Sequence, residues 1–392
     1  MAKVMGLTGN EAIAYAVKQC NVDVIAAYPI TPQTIMVETI SEYVYNGELD
    51  AEFICVESEH SALSACIGAS LAGARVFTGT ASQGLALMHE MLYIASSLRC
   101  PIIMGVANRA LSAPLNIHGD HSDMMGSRDC GWIQIYAENS QEAYDWTIQA
   151  FKIAEDQGVL LPVSVNIDGF IISHCVENVV VLEDEEVARF LPPRKPLITI
   201  DPTKPITVGA MCLPDYYFEV KVQQAHALKE SYKVIQEVNR EYEMISGLKY
   251  GLVETYAMED AEAAILCMGS TAGTAKLVAR ELRGKGKKVG VVKPWVYRPF
   301  PEEDLINALG DVKALAVLDR SCSFGAPFNA LCSDVITMLY RYKKDLNVFN
   351  YVYGLGGRDI TPMEIKDIFE ETLDVAKTGR VKEYVKFIGV RE

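Results

Sequence analysis

The chain has 392 residues, of which 50% are hydrophobic and 22% charged, and 51 acidic against 36 basic side chains give it a net charge of −15. That length suggests two or three domains. The composition excludes the disordered class, and the acidic balance lacks the positive face that a nucleic-acid binder needs. No apolar run approaches the roughly 18 residues that span a bilayer, and the start MAKVMGLTGNEAIAYAV carries no cleavage-type tail, so a cytoplasmic location without membrane contact is expected.

Thr8 and Glu11 form a T-x-x-E capping box, behind which Ile13, Val17 and Cys20 line one helical stripe. VDVIAAY (22–28) is a continuous apolar run, the pattern of a strand buried on both faces. A PITP turn leads to a helix near 34–44 and a strand in AEFICVES. A small-residue helix (60–74), the strand RVFTGT, one helix over 83–97 and the strand PIIMGVA come next. A polar loop covers about 112–130, before a helix in SQEAYDWTIQAFKIAED and a strand in LPVSVNIDG. This alternation of helices with buried strands predicts a doubly wound parallel α/β sheet over residues 1–214. Its end is a crossing segment with prolines at 192, 193, 196, 202, 205 and 214, which remove backbone donors and force extended backbone. A helical linker (215–257) follows, and then a smaller α/β domain (258–392) of four strands and about four helices.

The ten cysteines lie at least ten residues apart, the spacing of Cys322 and Cys332. Zinc ribbons and ferredoxin-type clusters need paired thiolates on one tight turn, so these cysteines read as small buried hydrophobes in a reducing compartment. The apolar strings FICVES, AILCMG and ALCSDV fit that reading.

In an open parallel sheet, ligands bind beyond the carboxyl ends of the strands. Three such ends stand out: Tyr28-Pro29-Ile30-Thr31-Pro32, then Glu57-Ser58-Glu59-His60, then Asn108-Arg109. Together they offer a hydroxyl, a carboxylate and a guanidinium, which would suit an anionic substrate and a cofactor base. The same residues also have structural readings. Thr31 could cap a helix, Glu59 could face the positive end of a helix dipole, and Arg109 could pair with Asp120 or Asp123. His60, His118 and His121 suggest a metal, but H-G-D-H-S-D (118–123) reads better as a turn with structural histidines, so no metal is expected on this chain. GLGG (354–357) and the Gly269–Gly273 turn could face phosphate, although neither fits G-x-G-x-x-G.

AYPITPQT (27–34), VESEHSA (56–62), TASQGLALMHE (80–90), NRAL (108–111) and NIHGDHSDMMGSRDCGWIQ (116–134) resemble, in order, the alpha subunits of thiamine-diphosphate-dependent 2-oxoacid:ferredoxin oxidoreductases of the pyruvate type. RPFP (298–301) and GLGG extend the likeness more loosely. The resemblance implies a pyrimidine-binding domain followed by a transketolase-C-terminal-like domain. It places the cofactor-activating carboxylate at Glu59, with Pro29, Gln83 and Gly84 also toward the cofactor. Thr31 and Arg109 fall at the substrate, walled by Tyr28, Pro29 and Ile30. It further implies oxidative decarboxylation of pyruvate with coenzyme A to acetyl-CoA, electrons passing to ferredoxin. The G-D-G motif that anchors Mg²⁺ and diphosphate is missing, the nearest sequence being Ile167-Asp168-Gly169. Mg²⁺ and the [4Fe-4S] clusters are therefore expected on partner beta, gamma and ferredoxin-like delta subunits. On this reading the chain alone should bind thiamine diphosphate poorly. The Thr31 turn resembles the pyruvate branch, and no basic residue lies between Lys18 and Arg75 to neutralise the second carboxylate of oxalate or 2-oxoglutarate. A 2-oxoisovalerate enzyme or a non-catalytic assembly subunit is the alternative.

Overall fold

A computed structural model describes residues 3–391, folded around two large sheets. The first has seven strands, in the order Val296–Arg298, Ile133–Tyr136, Val163–Asp168, Ile102–Asn108, Val76–Thr80, Val24–Ala27 and Glu52–Cys55. All but Val296–Arg298 run parallel. The central strands Val76–Thr80, Ile102–Asn108 and Val163–Asp168 are buried at every position. Helices cover both faces, which is why those strands read as unbroken apolar runs. Each Val or Ile so enclosed contributes about 1.5–3 kcal/mol of burial.

The chain runs from Val24–Ala27 out to the edge strand Glu52–Cys55 and then back to Val76–Thr80 on the other side of Val24–Ala27. Strand order therefore reverses between Val24–Ala27 and Val76–Thr80, and the crevice beyond their carboxyl ends is the expected ligand position.

The second sheet has six strands, in the order Val385–Phe387, Asn347–Val352, Ala314–Asp319, Ala263–Leu266, Val289–Pro294 and Val253–Tyr256. Four of these strands were expected. The other two, Val253–Tyr256 (antiparallel) and Val385–Phe387, are short edge strands of half-exposed residues and carry no apolar run. Immediately after Val289–Pro294 the chain crosses to the first sheet, where Val296–Arg298 pairs antiparallel with Ile133–Tyr136. The two sheets thus share one continuous segment.

Other elements also differ from the reading of the sequence. Lys3–Leu7 pairs antiparallel with Glu177–Val181 as a separate ribbon. The helix expected over 83–97 is two, Ser82–Leu87 and His89–Ser97, joined at Met88. The capping box is present, Thr8 and Glu11 exchanging bonds of 2.8 and 3.2 Å. Pro214 does not end the crossing segment but opens the long helix Pro214–Ser246, where a missing N–H costs nothing. Arg75 pins the crossing segment, bonding Pro192 O at 2.8 Å while Glu155 takes its guanidinium at 2.7 and 2.9 Å. Six cysteines are buried, but Cys55 and Cys175 are exposed. Cys55 lies on the edge strand, whose outer side no element covers.

Candidate active site

Glu59 is the first residue of the helix Glu59–Leu71, whose N-cap is Ser58; the Ser58 hydroxyl accepts from Ser61 N at 3.2 Å. The side chain is buried, 6% exposed, and leans over the start of the next strand-to-helix turn. A methyl group on Gly84 would sit 2.6 Å from Glu59 Oε1 and 2.7 Å from Thr80 Oγ1, so only glycine leaves this floor open. Among the described residues the Glu59 carboxylate has no hydrogen-bond partner, and neither do the buried atoms Thr80 Oγ1 and Gln83 Nε2. Buried polar atoms without partners are uncommon in native proteins. Thr80 Oγ1 beside Gly84 and Gln83 Nε2 are two such atoms, and with the Glu59 carboxylate they fit the polar edge of a planar heterocycle such as an aminopyrimidine.

The Tyr28–Gln33 turn follows the neighbouring strand. Tyr28 and Pro29 are exposed and Ile30 half-buried. Gln33, fully buried, donates to Tyr28 O at 2.9 Å and Gly79 O at 3.4 Å, tying together the two strand ends at the reversal of strand order. Asn10 holds the turn from the other side, bonding Pro32 O at 2.8 Å. Thr31 is exposed, and its hydroxyl has no partner among the described residues.

Arg109 comes from the end of Ile102–Asn108 and reaches across to Thr31 O at 2.9 Å, with Nε on Asn116 O at 2.8 Å. It is 6% exposed. No carboxylate among the described residues forms an ion pair with it. The expectation that Asp120 or Asp123 would take the guanidinium needs correction: Asp123 binds the Arg109 main-chain N–H at 2.9 Å, and Asp120 accepts from Gly356 N at 2.9 Å. Desolvation lowers the guanidinium's pKa, only partly opposed by Asp123. Burial also pushes the Asp123 carboxyl up to about 6, against the pull of the N–H groups of Arg109, Asn108, Ser82 and Met124. Sequence reasoning missed Asp123 as a main-chain anchor and Gln33 as the brace of the turn. Both lie inside motifs it had noticed, but a side chain's hydrogen-bonding to main chain leaves no spacing signal.

The other candidates have structural partners. His121 Nε2 lies 2.6 Å from Asp168 Oδ1, His118 packs tilted against Phe170 with ring centroids 5.0 Å apart, and His60 faces Glu90 at 3.5 Å, so the three histidines do not converge. Asp168, of the Ile167-Asp168-Gly169 sequence, also takes Arg320 at 3.0 Å and Ser270 N at 2.8 Å. Although burial opposes its charge, Arg320 and His121 hold its carboxyl well below the usual range. It is committed to joining the two sheets. Both glycine turns have neighbours in the same junction. A side chain on Gly269 would strike Asp168 Oδ2 at 2.8 Å, and Gly356 O accepts from Asn116 Nδ2 at 3.0 Å. Glu138, Glu142 and Glu254 offer oxygens within 4.8 Å of one another, but Lys293 Nζ sits among them at 2.7, 2.7 and 2.6 Å.

Residues 15–240 match the family model described as pyruvate flavodoxin/ferredoxin oxidoreductase, thiamine diP-bdg, and residues 261–365 match pyruvate:ferredoxin oxidoreductase core domain II. The chain belongs to the pyruvate:ferredoxin oxidoreductase family. It is 52% identical over 371 residues to pyruvate synthase subunit PorA of Methanocaldococcus jannaschii, covering 94% of both chains. To PorA of Thermotoga maritima it is 49% identical over 389 residues, 99% of this chain and 98% of the relative. Ketoisovalerate oxidoreductase subunit VorA of Pyrococcus abyssi is 45% identical over 383 residues, 97% of this chain and 96% of the relative. Among solved structures, the fold matches 2-oxoglutarate:ferredoxin oxidoreductase from Magnetococcus marinus with TM-score 0.70 at 18% identity, over 95% of this chain and 66% of that one. A split-gene transketolase matches with TM-score 0.55 at 12% identity, over 95% of this chain and 100% of that one. The chain is an oxidoreductase subunit with a thiamine-diphosphate-binding type of fold.

Proposed function

We propose that this chain is the alpha subunit of a heteromeric, cytoplasmic complex that oxidatively decarboxylates pyruvate, forming acetyl-CoA from coenzyme A and reducing ferredoxin. The observation that carries the substrate reading is Arg109: a buried guanidinium bound to two carbonyl oxygens and to no anion. A desolvated cation without a counter-charge is costly. A 2-oxoacid carboxylate would supply that charge and can engage the N–H groups left free. The Thr31 hydroxyl stands beside it for the substrate's carbonyl or carboxylate, with Tyr28, Pro29 and Ile30 as the wall. The cations that flank Thr31 in the sequence are spoken for, Lys18 by Glu48 at 2.9 Å and Arg75 by Glu155 at 2.7 Å. One guanidinium matches one carboxylate, and the preference for pyruvate over oxalate and 2-oxoglutarate rests on that match.

Glu59, Thr80 and Gln83 would hold the aminopyrimidine of thiamine diphosphate, with Gly84 and Pro29 leaving room for the ring. When bound, that cofactor supplies a nucleophilic carbon and an electron sink for decarboxylation. Glu59 would be the residue to exchange a proton with the ring nitrogen. Mg²⁺, the diphosphate and the [4Fe-4S] clusters are assigned to the beta, gamma and delta partners, in keeping with the engagement of Asp168 by Arg320 and His121. The open edge strand Glu52–Cys55, with Ile54 and Cys55 exposed beside Tyr28, suits a partner that completes the site.

The test is kcat/KM of the assembled complex for pyruvate, 2-oxoisovalerate, 2-oxoglutarate and oxalate. Pyruvate should be highest, with 2-oxobutyrate, one methylene larger, lower by about 10–200-fold. A higher value for 2-oxoisovalerate or oxalate would overturn the substrate assignment.

A further inference from the structure

Asp123 is 3% exposed, and each of its oxygens accepts two hydrogen bonds. Oδ2 takes Ser82 N and Arg109 N, both at 2.9 Å. Oδ1 takes Asn108 Nδ2 at 2.8 Å and Met124 N at 2.7 Å. Only an ionised carboxylate can face four donors without bringing one of its own. The two donors on Oδ2 come from different strand ends. One carries Arg109; the other leads through Gln83 to Gly84, the floor under Glu59. Ser82 has φ 47°, a left-handed backbone that a residue with a side chain adopts only when its surroundings hold it there. A second tie runs in parallel, Ser82 Oγ donating to Ala110 O at 2.5 Å.

We infer that Asp123 is a positioning residue: one oxygen fixes the distance between the strand end that presents Arg109 to substrate and the turn that presents Gly84 to Glu59. This rests on the assignment of Arg109 to the substrate carboxylate. An asparagine has the same shape, but its NH₂ must face either Ser82 N and Arg109 N or Asn108 Nδ2 and Met124 N, so the four-donor hold is broken on one side.

The test is a double-mutant cycle on the assembled enzyme, reading KM and kcat for pyruvate and the melting temperature. Asp123→Asn should raise KM about tenfold and lower kcat, and should add nothing to KM in an Arg109→Ala background, as expected for residues that act as a unit. A lower melting temperature with unchanged KM and kcat would make Asp123 structural and overturn the inference, as would equal effects in both backgrounds. If Arg109→Ala itself leaves KM unchanged, the substrate assignment fails and this inference with it. Should Asp123→Asn not assemble, Asn108→Ala removes one of the four donors. It should raise KM about threefold, again only when Arg109 is present, and no rise would overturn the inference.

Discussion

The open floor beneath Glu59 depends on a single missing methyl group. Gly84→Ala would place a carbon 2.6 Å from Glu59 Oε1 and 2.8 Å from Glu59 Cγ, too close for either atom to stay. The Glu59 side chain would have to swing out of the crevice, at the start of a helix that can otherwise form unchanged. We predict that Gly84→Ala lowers turnover of the assembled enzyme at least about tenfold, because the carboxylate leaves hydrogen-bonding range of its target. The melting temperature should move little, and turnover and calorimetry of one preparation check both parts. At this scale the sequence was informative about placement: Thr31, Glu59 and Arg109 all follow apolar runs and lie just beyond strands. It was uninformative where a residue acts through main chain. Asp123 and Gln33 bond to backbone atoms between 1 and 46 positions away, and no spacing marks such partners.

Among the elements, buried strands were legible because both their faces need apolar side chains, whereas Val253–Tyr256 and Val385–Phe387 were not, being half-exposed edges. The strand end at Ile167-Asp168-Gly169, the nearest sequence to the missing G-D-G, has a structural use: its carboxylate receives Arg320, His121 and Ser270 from three separate segments. Its folded pKa is depressed, so its stabilising contribution is full above the unfolded value, about 4, and is lost as pH falls below it. Asp168→Asn leaves Arg320 and His121 buried without their counter-charge. It should cost about 3–5 kcal/mol at neutral pH and flatten the loss of stability below about pH 4. Melting temperatures of both proteins across the acid range check this. Parallel curves would refute it.

Across the whole molecule, the two sheets are joined by charge as well as by the crossing strand Val296–Arg298. Lys293 is 1% exposed and sits among Glu138 and Glu142 of the first sheet's side and Glu254 of the second, with Lys276 reaching Glu138 at 2.7 Å and Glu254 at 3.0 Å. Burial alone would lower the Lys293 pKa, yet the three carboxylates raise it above the usual lysine range. Lys293→Met fills the same space but leaves those carboxylates facing one another, and should destabilise the protein by about 3–5 kcal/mol. Protection of the Val289–Pro294 amides from hydrogen exchange should fall with it; unchanged protection would mean that the cluster does not hold the sheets together. The domain interface was least legible of all in the sequence, since Glu138, Glu142, Glu254 and Lys293 are scattered over more than a hundred positions and belong to no motif. The same joined body presents Thr31, Glu59 and Arg109 after the carboxyl ends of strands in one parallel sheet, whose edge strand Glu52–Cys55 has no outer neighbour among the described residues, and this is the basis for proposing that the chain supplies half of a shared active site. That assignment is tested most directly by Glu59→Gln in the assembled complex, assayed for pyruvate-dependent reduction of ferredoxin. Loss of the positioned carboxylate should lower kcat at least about a hundredfold with the complex still assembled, whereas wild-type turnover would show that Glu59 does not act on the cofactor.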